Sequence, residues 1–141
     1  MIVAPSPRPP ALVPAVLTVA AGGALGALAR YGLAAAVPPR PGLLPWSTLW
    51  TNLSGCLLIG VVAAVLDRAG RHRELPRLFL TTGVLGGYTT FSGYTAEAWG
   101  LAVAGRPWLA AGYLVGTLVA AVAAAWLGEA LVAAGARRWR R

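Results

Sequence analysis

A chain of 141 residues that is 57% hydrophobic, with a mean hydropathy of +0.67, is too apolar for a soluble domain and too short for a large transporter, which leaves a small membrane bundle. Its net charge of +8 comes from twelve arginines and no lysine set against four acids. The arginines sit between and beyond apolar runs, where such residues meet lipid headgroups and set topology, and this placement argues against nucleic-acid binding.

Residues 1–10 hold four prolines and Arg8 and are expected to be a mobile lead. The apolar run that follows predicts a first span over about 11–29, with Pro14 tolerable in the first helical turn. A basic residue, an apolar run and small residues at 34–36 also trace the outline of a signal peptide, but three further spans outweigh that reading. Gly22 and Gly26 stand in GxxxG spacing, which lets another helix approach closely. Arg30 and Tyr31 are expected to end the span at the interface.

Residues 36–45 contain four more prolines and a glycine and form a connector. Trp46 and Trp50 mark an interfacial belt, and a second span runs over about 46–66 with Asn52 as its one strongly polar residue. A lone intramembrane Asn is most often an interhelical hydrogen-bond partner. Cys56, the single cysteine, has no partner for an internal disulfide or a metal motif and reads as a small buried residue. Residues 67–77 form a charged loop in which His72 is most simply a solvated side chain.

The third span, about 78–103, organises the rest. Gly83, Gly86 and Gly87 weaken its helix next to the hydroxyl-rich run Tyr88, Thr89, Thr90, Ser92, Tyr94 and Thr95. Lipid offers no hydrogen-bond partner, so backbone freed by a break must be buried in protein or line a wet cavity. Residues 83–95 are therefore expected to be a broken segment facing a path or site. Gly105, Arg106 and Pro107 make a turn, and a fourth span covers about 108–134. It carries Gly112, Gly116, Ala120, Ala124 and Gly128 at four-residue steps, a ladder expected to make a close helix contact, with Tyr113 and Thr117 on a neighbouring face. Glu129 lies near its end, and residues 135–141 form a basic tail.

Four spans place the N-terminus, the loop 67–77 and the C-terminus on one side. That side holds nine arginines (8, 68, 71, 73, 77, 137, 138, 140 and 141) against Arg30, Arg40 and Arg106 on the other, which predicts both termini in the cytoplasm and a multi-pass protein of the inner or plasma membrane. No cluster of His, Cys and acids has catalytic or metal-ligand spacing, so an enzyme is not indicated. The intramembrane polar groups are mostly neutral donors (Asn52, Thr89, Thr90, Ser92, Thr95, Tyr113 and Thr117), which suit a small anion rather than a cation. Helix N-termini at the break would add oriented N–H groups, and Phe91 would add a positive ring edge. The alternative is that the hydroxyls merely bond the preceding turn and the aromatics merely pack.

The motifs GALGALARY at 23–31, TLWTNLSGCLLIG at 48–60 and GVLGGYTTFSGYTAE at 83–97 resemble the CrcB/Fluc fluoride channel family. The resemblance implies an all-α integral membrane protein of four transmembrane helices with a break in the third, assembled as an antiparallel dimer with two pores for passive fluoride efflux. It implies Asn52 as a pore-lining donor, Phe91 and Tyr94 as the two aromatics whose edges meet fluoride, and Ser92, Thr95, Tyr113 and Thr117 along the polar path. The carbonyls of Gly86 and Thr89 would hold a structural sodium ion between subunits, and Arg30 and Glu97 match structural positions. Two residues depart from the pattern: Tyr94 stands for Phe, and Gly93 for a hydroxyl residue. With the uneven arginines, they suggest a chain that inserts one way and pairs with an oppositely oriented homologue, or a non-conducting partner subunit. A small multidrug transporter also has four short spans, but it needs an acid in its first span, and 11–28 has none.

Overall fold

The computed structural model describes residues 11–40, 42–69 and 74–138, and every described regular element is helical. The N-terminal lead 1–10 with Arg8, Arg71, His72 and Arg73 of the charged loop, and Arg140 and Arg141 of the tail lie outside the described residues. In order come α1 (Leu12–Ala36), α2 (Trp46–Arg68), the single turn α3 (Glu74–Arg77), a π-helical stretch (Leu78–Leu85), the short α4 (Gly86–Tyr88), α5 (Phe91–Val103) and α6 (Pro107–Arg138). Among the described residues three helices, α1, α2 and α6, are long and apolar enough to cross a membrane.

Proline and glycine set most of the ends. Pro14 sits in the first turn of α1, where its missing N–H costs nothing, and Pro38 and Pro39 follow the end of the same helix. Gly105 adopts φ 78° after α5. Its N–H bonds Ala102 O at 3.1 Å and the Arg106 N–H bonds Leu101 O at 3.0 Å, a paired cap that only a residue tolerant of positive φ accepts readily. Pro107 then starts α6 at the position where a proline ring is preorganised for helix.

Arg30 does not end the first helix. The helix continues to Ala36, so Arg30 and Tyr31 lie inside it, and α6 likewise begins at Pro107 and runs past 134. Gly32 stays helical, no proline lies between Arg30 and Val37, and the next residues that forbid helix are the prolines at 38 and 39.

The glycines of the third segment also act differently from the expectation. Gly83 is π-helical, and Gly86 and Gly87 are in α4, all with the chain still helical. Their role is close approach. A Cβ on Gly22 of α1 would fall 2.6 Å from Phe79 O and 2.9 Å from Gly83 Cα, one on Gly26 would collide with Val84 O, and one on Gly87 would collide with Gly23 O. The α1 backbone thus lies directly on the backbone of 79–88. The ladder on α6 divides in two: Gly128 packs onto Leu57 O and Val61 N of α2, whereas Gly112 and Gly116 have open space at their Cα atoms.

The chain leaves the helical region at Thr89 (φ −75°, ψ 158°) and Thr90 (φ −145°, ψ 121°), between α4 and α5. These two extended residues meet α2 because Gly55 has no side chain; a Cβ there would collide with the Thr89 methyl and touch the Tyr88 ring. A core of Tyr94, Ala98, Leu101, Ala110 and Tyr113 joins α5 to α6.

Candidate functional site

Asn52 holds the extended pair in place. Its Nδ2 donates to Thr90 O at 3.1 Å, and the Thr90 N–H donates to its Oδ1 at 2.9 Å, so one side-chain amide occupies both backbone groups of Thr90 as a neighbouring strand would. Thr90 in turn caps α5: its Oγ1 accepts the Gly93 N–H at 3.0 Å. Gly93 leaves room for that cap, since a Cβ on it would lie 3.0 Å from Thr90 Cγ2 and 3.1 Å from Oγ1. The residue that departs from the hydroxyl track therefore has a local steric reason.

These bonds strand particular carbonyls. In an unbroken helix Gly86 O would accept from the Thr90 N–H and Thr89 O from the Gly93 N–H, but the first donor goes to Asn52 and the second to the Thr90 hydroxyl. Gly87 O is taken by Arg30 Nε at 3.1 Å, which brings an α1 side chain onto the end of α4. Arg30 thus bonds the interruption from within its helix.

Three rings line up beside the extended pair. Phe91 and Tyr94 have centroids 5.7 Å apart at 59°, and Tyr94 and Tyr113 are edge-on at 5.4 Å and 61°. Phe91 is 78% exposed while Tyr94 is buried. The added hydroxyl of Tyr94 donates to Leu114 O at 2.6 Å and so is spent on the α6 backbone. Tyr113 donates to Glu97 Oε2 at 3.0 Å, and Thr48 donates to the other carboxylate oxygen at 2.7 Å. Glu97 therefore ties α2, α5 and α6 at one end of the bundle.

Asn52, Thr89, Thr90, Phe91, Tyr94 and Thr117 surround one half-open cavity of about 190 Å³, together with Cys56, Leu118 and Ala121. None of these lining residues is charged. Thr117 is one of the lining residues, and its Oγ1 is buried and, among the described residues, bonds nothing. Leaving such a group unsatisfied costs about 1–3 kcal/mol. Asn52 has one amide N–H beyond its two bonds to Thr90 and can contribute a second donor.

Other sequence-selected residues stand apart from this cavity. Ser92 is exposed, 3.5 Å from Thr90 Oγ1 across a shared hydroxyl contact, and the Thr95 hydroxyl lies 3.1 Å from both Phe91 O and Ser92 O. Thr89 Oγ1 bonds Leu85 O in the preceding turn. For Thr89 and Thr95 the alternative of local backbone bonding is the observed geometry. Sequence reasoning missed Thr48, which only its α2 position brings to Glu97, and it missed Cys56, which is half-buried on the cavity wall rather than packed away. Spacing carried a signal for Cys56, four residues after Asn52 on one helix face.

The family model for CrcB-like protein, Camphor Resistance (CrcB), matches residues 17–129. The chain is 43% identical over 133 residues to the fluoride-specific ion channel FluC 2 of Nocardia farcinica, covering 94% of this chain and 91% of that one. It is 45% identical over 129 residues to FluC 2 of Thermobifida fusca (89% and 96%) and 39% identical over 121 residues to the fluoride-specific ion channel FluC of Nitrobacter winogradskyi (83% and 94%).

Proposed function

The chain belongs to the CrcB-like family, and from that premise we propose that it is a fluoride-specific ion channel of the membrane whose ion path runs through the cavity beside the extended pair Thr89–Thr90. It is a channel and not an enzyme. The observation that carries the placement of the path is the cavity itself, which brings Asn52, the Phe91 ring and Thr117 together beside the extended pair.

Fluoride is small and strongly hydrated, so a path must replace its water with donors at close range. Asn52 and Thr117 supply neutral donors, and the ring edges of Phe91 and Tyr94 supply the positive side of the aromatic quadrupole. Ser92, Thr95 and Tyr113 continue the polar track along α5 and α6. A larger anion would meet the same fixed groups at the wrong distances. The driving force needs no coupled ion: an inside-negative potential of about 100 mV moves a unit anion outward with roughly 2.3 kcal/mol.

The subunit has four spans, the third being the interrupted segment 78–103, and two subunits pack antiparallel to complete two paths. The stranded carbonyls of Gly86 and Thr89 support a structural sodium ion at the subunit contact, because a hard cation takes oxygen ligands and these two lack their helical donors. When bound, the ion supplies the positive charge that satisfies those oxygens. Arg30 holds the adjacent Gly87 O, and Glu97 fixes Tyr113. Both termini face the cytoplasm. The nine-to-three distribution of arginines favours one fixed orientation and an oppositely oriented homologous partner chain.

Fluoride and chloride efflux from liposomes containing the purified chain tests this reading. Fluoride leaves and chloride stays, from the chain alone or once the homologous partner chain is added, and Asn52→Ala and Phe91→Ile each slow the fluoride current; equal rates for both anions would sink it. If the chain is silent alone and conducts with a homologous chain added, the paired-subunit assembly is established instead.

A further inference from the structure

We propose that Arg40, on the connector between α1 and α2, is the electrostatic steering residue at one mouth of the ion path, where its guanidinium concentrates fluoride in front of Glu97. This rests on the fluoride reading of the path.

A second cavity, of about 320 Å³, opens at the connector end of the bundle, between Pro39, Arg40 and Leu43 of the connector and Glu97, Gly100 and Leu101 of α5. A run of contacts leads to it from the first cavity. Tyr94 lines the first cavity, its ring is edge-on to Tyr113 at 5.4 Å, the Tyr113 hydroxyl donates to Glu97 Oε2 at 3.0 Å, and Glu97 lines the second cavity. An ion that follows the polar side chains of α5 and α6 therefore arrives in front of Glu97.

At that point the path has an electrostatic problem. Thr48 and Tyr113 hold the two Glu97 oxygens in place, and a fixed negative charge at the mouth repels an anion. Among the described residues that line this cavity, Arg40 is the one that carries the opposite charge. No ion pair joins Arg40 to Glu97 among the described residues, so the guanidinium is not consumed by the carboxylate and stays open to a mobile anion. It also keeps its charge at any working pH. The connector holds that charge at the mouth: the Leu43 N–H bonds Arg40 O at 3.1 Å in a tight turn that Gly42 enters at φ 72°, and Pro39 and Pro45 fix φ on either side. A charge beside a low-dielectric mouth raises the local concentration of its counter-ion, and salt screens the effect. Arg106 provides an internal comparison, since it follows α5 at the same end of the bundle but does not line this cavity.

The test measures fluoride efflux from liposomes of zwitterionic lipid, with the homologous partner chain present where the native chain needs it. Ionic strength is set on both faces with sodium isethionate, so the orientation of the inserted chain does not matter. Arg40→Gln is expected to slow efflux roughly threefold at about 10 mM ionic strength, where the screening length is about 30 Å, and to come within roughly 1.3-fold of native at about 1 M, where it is about 3 Å. Arg40→Lys keeps the charge and restores the native rate at low salt, and Arg106→Gln stays near the native rate throughout. The proposal is overturned by a native rate for Arg40→Gln at low salt, by a deficit that persists undiminished at high salt, by failure of Arg40→Lys to restore the rate, or by an equal loss in Arg106→Gln, which would assign the effect to overall surface charge. A native chain that passes no fluoride in either assembly removes the path reading itself, and the steering role falls with it.

Discussion

The seam between α1 and residues 79–88 is made of bare backbone, whereas the junction of α2, α5 and α6 is made of polar side chains. At the seam, Gly22, Gly26, Gly83 and Gly87 let carbonyls and Cα atoms touch with no side chain between them. In a bilayer, where lipid is as apolar as Leu, such close van der Waals packing is a main source of helix association. At the junction, Asn52 binds Thr90, Glu97 accepts from Thr48 and Tyr113, and Tyr94 bonds the α6 backbone. The seam has no tolerance and fixes where the interruption sits. The junction satisfies nearly all of its polar groups internally, so the Thr117 hydroxyl and one Asn52 N–H stand out as the groups left over.

The largest expected effect breaks the seam. Gly26→Val places a branched side chain against Val84 O and Tyr88 N, both backbone atoms that cannot swing aside. Overpacking of this kind costs about 1–3 kcal/mol or more. Little folded protein should elute as a single species from size-exclusion chromatography; recovery at the native level would show that the seam yields.

Next in size is Asn52→Asp, which keeps an acceptor for the Thr90 N–H but has no donor for Thr90 O and adds a negative charge beside the proposed anion path. A rise of about 2–4 kcal/mol in barrier height corresponds to fluoride efflux slowed roughly 30- to 1,000-fold. Efflux near the native rate would mean that Asn52 neither braces the path nor faces it.

Thr117→Val sharpens the contrast. Since the hydroxyl has no partner among the described residues, its removal should leave thermal stability unchanged or raise it by about 1 kcal/mol, while fluoride efflux drops roughly tenfold. A purely structural hydroxyl would show the opposite pattern, with lower stability and unchanged efflux.

The smallest effect is expected for Tyr94→Phe. The ring stays and one hydrogen bond to Leu114 O disappears, a loss of about 0.6–1.7 kcal/mol in melting experiments. Efflux should stay within roughly threefold of native because the hydroxyl points at α6 rather than at the ion. A rate change of a hundredfold would place that hydroxyl in the path after all.

Arg30 and Cys56 show why some of the site escaped a linear reading. An arginine after an apolar run looks like a membrane boundary, yet six more helical residues follow it, and its partner Gly87 O is 57 positions away. Cys56 is a small residue in an apolar run until the fold brings α6 and the extended pair around it. The glycines 83, 86 and 87 were visible as unusual, but composition cannot say whether a glycine ends a helix or admits a neighbour. The hydroxyl track likewise looks uniform on paper. In three dimensions Thr89 and Thr95 bond their own turns and Thr117 does not, since that depends on which acceptors lie within 3.5 Å.

The order of residues alone determined that this is an apolar helical protein, that residues 78–103 differ from the other long runs, and which polar side chains that region offers. Those properties follow from hydropathy, proline and glycine, which act over a few neighbouring residues. Only the tertiary structure decided that the Thr90 N–H belongs to Asn52, that Gly87 O belongs to Arg30, and that one buried hydroxyl has no partner among the described residues. Hydrogen bonds form over about 3 Å in space, and the fold alone determines which distant groups meet at that range.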